Sequence, residues 1–193
     1  MHDLIKALLL GIVEGVTEYL PVLSTGHLIL FGDLVHFSGP KADFFDVFIQ
    51  LGAILAVVIL YFRRFLFLLD PSEMHIKAKG FKGLTGILKL FIACLPAFIA
   101  GALLHGFIKE HLFNALTVSV ALITGALFMI AVDRKGRVAR VTEIEEISYF
   151  QAFIIGLCQC FALWPGMSRS ASTIIGGLLC GLERKVAAEF SFL

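Results

Sequence analysis

Three apolar runs, near residues 44 to 62, 87 to 108 and 116 to 132, are each long enough to cross a hydrocarbon core about 30 Å thick. A chain built on such runs has lipid as its solvent. In lipid every backbone donor and acceptor must be satisfied within the chain, so long apolar runs fold as helices. The expected class is therefore an all-α integral membrane protein, a polytopic helical bundle whose first partner is the bilayer. Composition agrees, since 59% of the 193 residues are hydrophobic and 16% charged, far from the balance of a soluble domain. The net charge of +1, without a basic face, argues against nucleic acid as a partner. Cys94, Cys158, Cys160 and Cys180 lie in apolar sequence without CxxC or Cys/His spacing, and read as small buried hydrophobes. The opening MHDLIKALLLGIVEG lacks an A-x-A-like cleavage site and runs into a charged motif, so it reads as part of the mature protein.

Two further apolar stretches, 4 to 20 and 147 to 163, behave differently. Each is followed by a proline, Pro21 or Pro165, then by a short polar run and a second, shorter apolar segment. Proline removes a donor and clashes with the preceding turn, which predicts two broken, re-entrant helix pairs. The loop from 63 to 86 carries Arg63, Arg64, Lys77, Lys79 and Lys82, and that from 133 to 146 carries Arg134, Lys135, Arg137 and Arg140, whereas KEHLFNA between them holds only Lys109. The positive-inside rule makes both basic loops cytoplasmic and puts the 109 to 115 loop and Lys41 outside.

The stretch ALLLGIVEGVTEYLPVLSTGH from Ala7 parallels AFIIGLCQCFALWPGMSRSAS from Ala152: Gly11 matches Gly156, Glu14 matches Gln159 and, after a one-residue slip, Pro21 matches Pro165 and Ser24 matches Ser168. Three spans separate the copies. An odd number inverts the second, the plan of many transport folds with half-helices meeting near the midplane; chance similarity between apolar helices is the competing explanation. The expected organisation is one membrane domain over 1–193, with a first repeat over about 1–132 and the start of a second over about 147–193. A complete second repeat would need its own three spans, so the chain reads as C-terminally incomplete.

Glu14 and Glu18, four residues apart on an apolar helix, place two carboxylates on one face. Inserting one charged side chain into a bilayer costs about 2.5–3.5 kcal/mol, so such a pair faces a cavity, a cation or each other; the plainer alternative is a polar stripe at the water interface. In the run Pro21-Val22-Leu23-Ser24-Thr25-Gly26-His27, Ser24 suits the N-cap of the next helix, whose N-terminus would attract an anion. His27 suits proton transfer or nucleophilic attack, although a histidine at a helix start is more often structural. In Pro165-Gly166-Met167-Ser168-Arg169-Ser170-Ala171-Ser172-Thr173, hydroxyls and a guanidinium surround another helix start, a dense donor set for phosphate oxygens. An ordinary capped helix with a snorkelling arginine is the alternative. Inverted half-helices would bring both positive helix ends, Arg169 and His27 towards the two carboxylates.

EGVTEYLPVLSTGH at 14–27 and PGMSRSAST at 165–173, followed by GLERKVAAEFSFL, resemble the signature motifs of the bacterial undecaprenyl-diphosphate phosphatase family, also called the bacitracin-resistance family. The resemblance covers the whole chain. It implies an integral membrane hydrolase that removes the terminal phosphate of undecaprenyl diphosphate, recycling the lipid carrier of peptidoglycan synthesis. It also implies an inverted, re-entrant fold in the bacterial inner membrane, with the active site facing the periplasm. Carried over residue by residue, the family's acidic pair falls on Glu14 and Glu18, its motif serine and histidine on Ser24 and His27, and its essential arginine on Arg169. Leu23 stands where the family usually has a second serine, which points to Ser24 as the serine that matters. SRSAST replaces the commoner SRSGAT, leaving Arg169 and Thr173 in place while altering backbone freedom in the loop.

Such a hydrolysis rests on positioning and charge stabilisation. Arg169, Ser168 and Ser170, with Thr173 and Thr25, are assigned to the phosphates. Glu14 and Glu18 would hold a divalent cation such as Mg or Ca, or one would act as general base. His27 is the first choice for general acid/base or nucleophile, with Ser24 as the alternative nucleophile. A homodimer is a further expectation. The rival class is a proton-coupled transporter or lipid flippase, which intramembrane Glu, His and Arg would also serve. In a third reading the motifs only pack helices.

Overall fold

The computed structural model describes residues 2–18, 20, 24–37, 40–69, 80–112, 115–134 and 139–193. Pro21, Leu23, Lys77, Lys79, Lys135 and Arg137 lie outside the described residues, as does the side chain of Thr25. The described chain is helical, in the order α1 (His2–Thr17), α2 (Ser24–Leu34), α3 (Pro40–Leu60), α4 (Phe62–Leu68), α5 (Gly83–Phe107), α6 (Ala115–Arg134), α7 (Tyr149–Gln159), α8 (Arg169–Leu179) and α9 (Arg184–Phe192). A π-turn over Ile108–Leu112 extends α5, and short 3₁₀ turns cover Ile144–Glu146 and Cys160–Leu163. Two compact units divide the chain, 1–62 and 63–193, and each is taken by itself.

Of the three expected spans, Gly83–Leu112 and Leu116–Arg134 are single helices long and apolar enough to cross a membrane, whereas the expected 44–62 span is a sharply bent pair, Phe48–Leu60 and Phe62–Leu68, that meets the test only as one broken span. Leu103, Phe98, Leu116 and Leu127 are among the large apolar side chains these helices leave exposed. Exposure of this kind is unstable in water and ordinary in hydrocarbon.

In the first unit α1 and α2 form an antiparallel hairpin. Lys6 Nζ donates to the His36 carbonyl (3.0 Å) at its open end, and the Ser24 hydroxyl meets Glu18 at its turn. α1 closes at Thr17, earlier than the expected 20, although the Glu18 N–H still reaches the Glu14 carbonyl at 2.8 Å. The cause is Pro21, which disfavours helix in the residue before it and withholds a donor. α2 ends in a Schellman cap, with His36 at φ 53° and the Phe37 N–H on the Gly32 carbonyl at 2.8 Å.

The second unit is held at one end by a core of Leu68, Phe81, Ile144, Ile147, Ile155, Leu182 and Phe190. α7 and the turn after it run parallel to α5, with Tyr149 at Lys89, Gly156 at Ala93 and Leu163 at Gly101. At Gly156 the backbones touch: a Cβ there would stand 2.4 Å from the Ala93 carbonyl oxygen. α8 returns antiparallel to α7, tied at the open end by Gln151 Nε2 donating to the Cys180 carbonyl (3.1 Å), and packed so that a Cβ at Gly176 would lie 2.8 Å from Cys158 Cβ. With 11 residues, α8 is about 16 Å long, half of a hydrocarbon core. Beside the core end, Arg64 pairs with Glu145 and donates to Glu189 (2.8 Å), while buried Lys89 donates to the Gly80 carbonyl (2.9 Å) beneath the Phe81 and Tyr149 rings.

Candidate functional site

The first motif occupies the α1–α2 turn. Glu14, in the last turn of α1, is 1% exposed, whereas Glu18 lies just beyond the helix and is half-buried. Leaving the helix frees Glu18 to reach across the turn, where its Oε2 accepts the Ser24 hydroxyl proton at 2.6 Å. An O–H on a carboxylate at that distance is a strong, charge-assisted bond, and it is also the contact a nucleophile makes with its general base. Ser24 is buried at the head of α2, with its hydroxyl proton committed to Glu18. His27, half-buried, stands one helical turn further along α2, on the face that Ser24 occupies.

The second motif occupies the α7–α8 turn. The Met167 N–H returns to the Trp164 carbonyl at 3.0 Å, with Pro165 second in the turn and Gly166 third at φ 101°, the pattern of a type II turn. Gly166 is pressed against α6, where a Cβ would fall 2.6 Å from the Val118 carbonyl oxygen, and Met167 Sδ packs at Gly125. Ser168 is the N-cap of α8, its Oγ accepting the Ala171 N–H at 3.3 Å and lying 3.1 Å from Ser170 Oγ. Arg169 begins α8 exposed, with no ion pair among the described residues. A helix N-terminus, two hydroxyls and an uncommitted guanidinium thus share one turn, which suits an anionic oxygen cluster.

Thr173 behaves differently from its neighbours in the motif. It is buried, its hydroxyl within reach of the Arg169 and Ser170 carbonyls (3.0 and 3.1 Å) and 2.6 Å from Ser191 Oγ on α9. Its bonds run to the backbone that carries the arginine. Ser191 is a residue that sequence reasoning missed, because only packing of α9 on α8 pairs it with Thr173. Trp164 was also missed, although a tryptophan directly before Pro-Gly at a polar turn is a readable signal: its indole N–H needs a partner when buried. The Ser24–Glu18 pair and the Ser168–Ser170 pair are among the side-chain associations the structure forms within the predicted set. The two motifs fall in different units.

Among the described residues no cluster of three or more His, Cys, Asp or Glu side chains suits a metal. Glu14 and Glu18 are too few to make a closed protein cage, so a cation there would need substrate oxygens and water for its remaining ligands.

Comparison with known proteins gives a consistent answer. The family described as bacitracin resistance protein BacA matches residues 7–193. Proteins named undecaprenyl-diphosphatase are similar along the entire chain: 52% identical in Nitratidesulfovibrio vulgaris (strain Hildenborough), 51% in Maridesulfovibrio salexigens and 49% in Thermoanaerobacter sp. (strain X514). The chain spans 71%, 72% and 70% of those relatives' lengths. With both polar turns inside the matched region, the chain belongs to the bacitracin resistance protein BacA family.

Proposed function

We propose that this protein removes the terminal phosphate of undecaprenyl diphosphate, releasing inorganic phosphate and undecaprenyl phosphate for reuse as the carrier of peptidoglycan precursors. The observation that carries the reading is the Ser24 hydroxyl on the Glu18 carboxylate at 2.6 Å, in a chain 49–52% identical along its whole length to proteins named undecaprenyl-diphosphatase.

Ser24 Oγ attacks the terminal phosphorus and passes its proton to Glu18. The P–O bond to the bridging oxygen breaks, and undecaprenyl phosphate leaves. Water then hydrolyses the phosphoserine, returning Ser24 and releasing phosphate. His27 activates that water or protonates the leaving oxygen, and Arg169, with the Ser168 and Ser170 hydroxyls, takes up phosphate charge. Glu14 and Glu18 would hold a divalent cation such as Mg²⁺ or Ca²⁺, which would supply positive charge to neutralise the diphosphate.

The antiparallel α1–α2 and α7–α8 hairpins, each with its polar motif at the turn, support two re-entrant pairs and an inverted repeat. α6 runs from the sparsely charged 109–114 loop to Arg134 at a basic loop, and the second motif packs against its Val118–Gly125 portion. With basic loops cytoplasmic, this supports a site in the outer half of the inner membrane, open to the periplasm. The exposed apolar faces of α3, α5 and α6 would be covered by lipid and, in a homodimer, by a second copy; light scattering of the detergent-solubilised protein reads that state.

The test is phosphate release from a polyprenyl diphosphate by the purified protein in detergent. Release, abolished by Ser24→Ala or Arg169→Ala, with a trapped phosphoserine, is expected. Phosphohistidine at His27 would exchange the roles of Ser24 and His27, and absence of release would refute the hydrolase reading.

A further inference from the structure

Trp164, the single tryptophan of the chain, is not used by the chemistry above. Its indole Nε1–H is buried and has no hydrogen-bond partner among the described residues. Burying a donor unsatisfied forfeits its hydrogen bond to water, and a membrane-embedded turn has little water to repair the loss. The turn around it is closely packed: Leu163 lies at Gly101 of α5, Gly166 on the Val118 carbonyl and Met167 at Gly125 of α6. Its own carbonyl opens the turn that leads directly into Ser168 and Arg169. An orphaned donor thus stands in the turn that carries the proposed anion-binding groups.

We infer that Trp164 is a substrate-binding residue, its Nε1–H donating to an oxygen of the diphosphate headgroup beside Ser168 and Arg169. The inference rests on the proposed assignment of the α7–α8 turn to the phosphates. Indole suits the task because it is a donor only, with no lone pair to repel an anionic oxygen and no proton to lose near neutral pH. Its flat apolar body meanwhile tolerates the lipid that surrounds the substrate.

The test uses purified protein in detergent, with farnesyl diphosphate as substrate and inorganic diphosphate as probe. Trp164→Phe keeps the ring and deletes the donor. It is expected to raise KM about 10-fold or more, the effect of one hydrogen bond to a charged group, while kcat changes little. Because the chain has one tryptophan, emission of the unmutated protein reports the indole alone, and a saturable red shift is expected as inorganic diphosphate is added. An unchanged KM in folded Trp164→Phe, or emission that stays still at diphosphate concentrations that inhibit hydrolysis, overturns the assignment. Should Trp164→Phe fail to fold, the emission titration decides alone. Absence of hydrolysis in the unmutated protein removes the hydrolase reading instead, and a saturable emission shift would still establish the anion contact.

Discussion

Glu18 meets Ser24 because it is the first residue that α1 releases; one position earlier it would be held to the helix surface. Its proposed role as base predicts that Glu18→Gln, which keeps the shape and removes the charge, lowers kcat by about 10²–10⁴-fold while the protein still folds, measured by phosphate release beside thermal unfolding. Arg169→Lys keeps the charge but loses the planar fork. A fall in kcat/KM approaching that of Arg169→Ala is expected, and near-normal activity would show that a point charge suffices. The thiols, hydroxyls and carboxylates were legible as residue types. Which of them pair was not, since the Ser24–Glu18 bond depends on a helix end that falls three residues earlier than the apolar pattern suggests, and the Thr173–Ser191 bond on a helix packed from elsewhere.

Among the elements, the α7–α8 hairpin concentrates the constraints. Its turn needs a glycine at φ 101°, where a side chain would be strained and would also collide with the Val118 carbonyl. Gly166→Ala is therefore expected to displace Ser168 and Arg169 and to lower kcat/KM well before it unfolds the protein; unfolding without a catalytic effect would contradict this. Gly156 has the opposite character, setting the approach of α7 to α5 at a point remote from the turn. Gly156→Val forces backbones apart and should cost about 1–3 kcal/mol, visible as a lower Tm. Hydropathy and the two prolines revealed these helices and their breaks. The parallel register of α7 on α5 was hidden, because it is decided by small residues whose only signal is the contact they permit.

At the scale of the whole molecule, the end of the second unit away from the α7–α8 turn carries a small cluster of charges. Arg64 joins Glu145 and Glu189, linking α4, the 144–146 turn and α9. All three are partly exposed, so the link is worth little, about 1 kcal/mol or less, and is weakened by salt. Arg64→Gln should lower Tm slightly, and less at high salt, with kcat unchanged; a large loss of activity would place this cluster in the mechanism. Orientation has its own check, since a cysteine at Lys109 should react with an impermeant thiol reagent from outside intact cells and one at Arg140 should not. By itself the sequence determined the solvent, the helical class, the breaks between α1 and α2 and between α7 and α8, and the family, because hydrocarbon leaves the backbone no alternative and the motifs are dense in unusual residues. Tertiary structure alone decided that Glu18 leaves its helix for Ser24, that Thr173 serves the backbone under Arg169, and that the Trp164 N–H is left without a partner. Those outcomes depend on where helices end and how closely backbones approach, quantities that no local pattern of residues encodes.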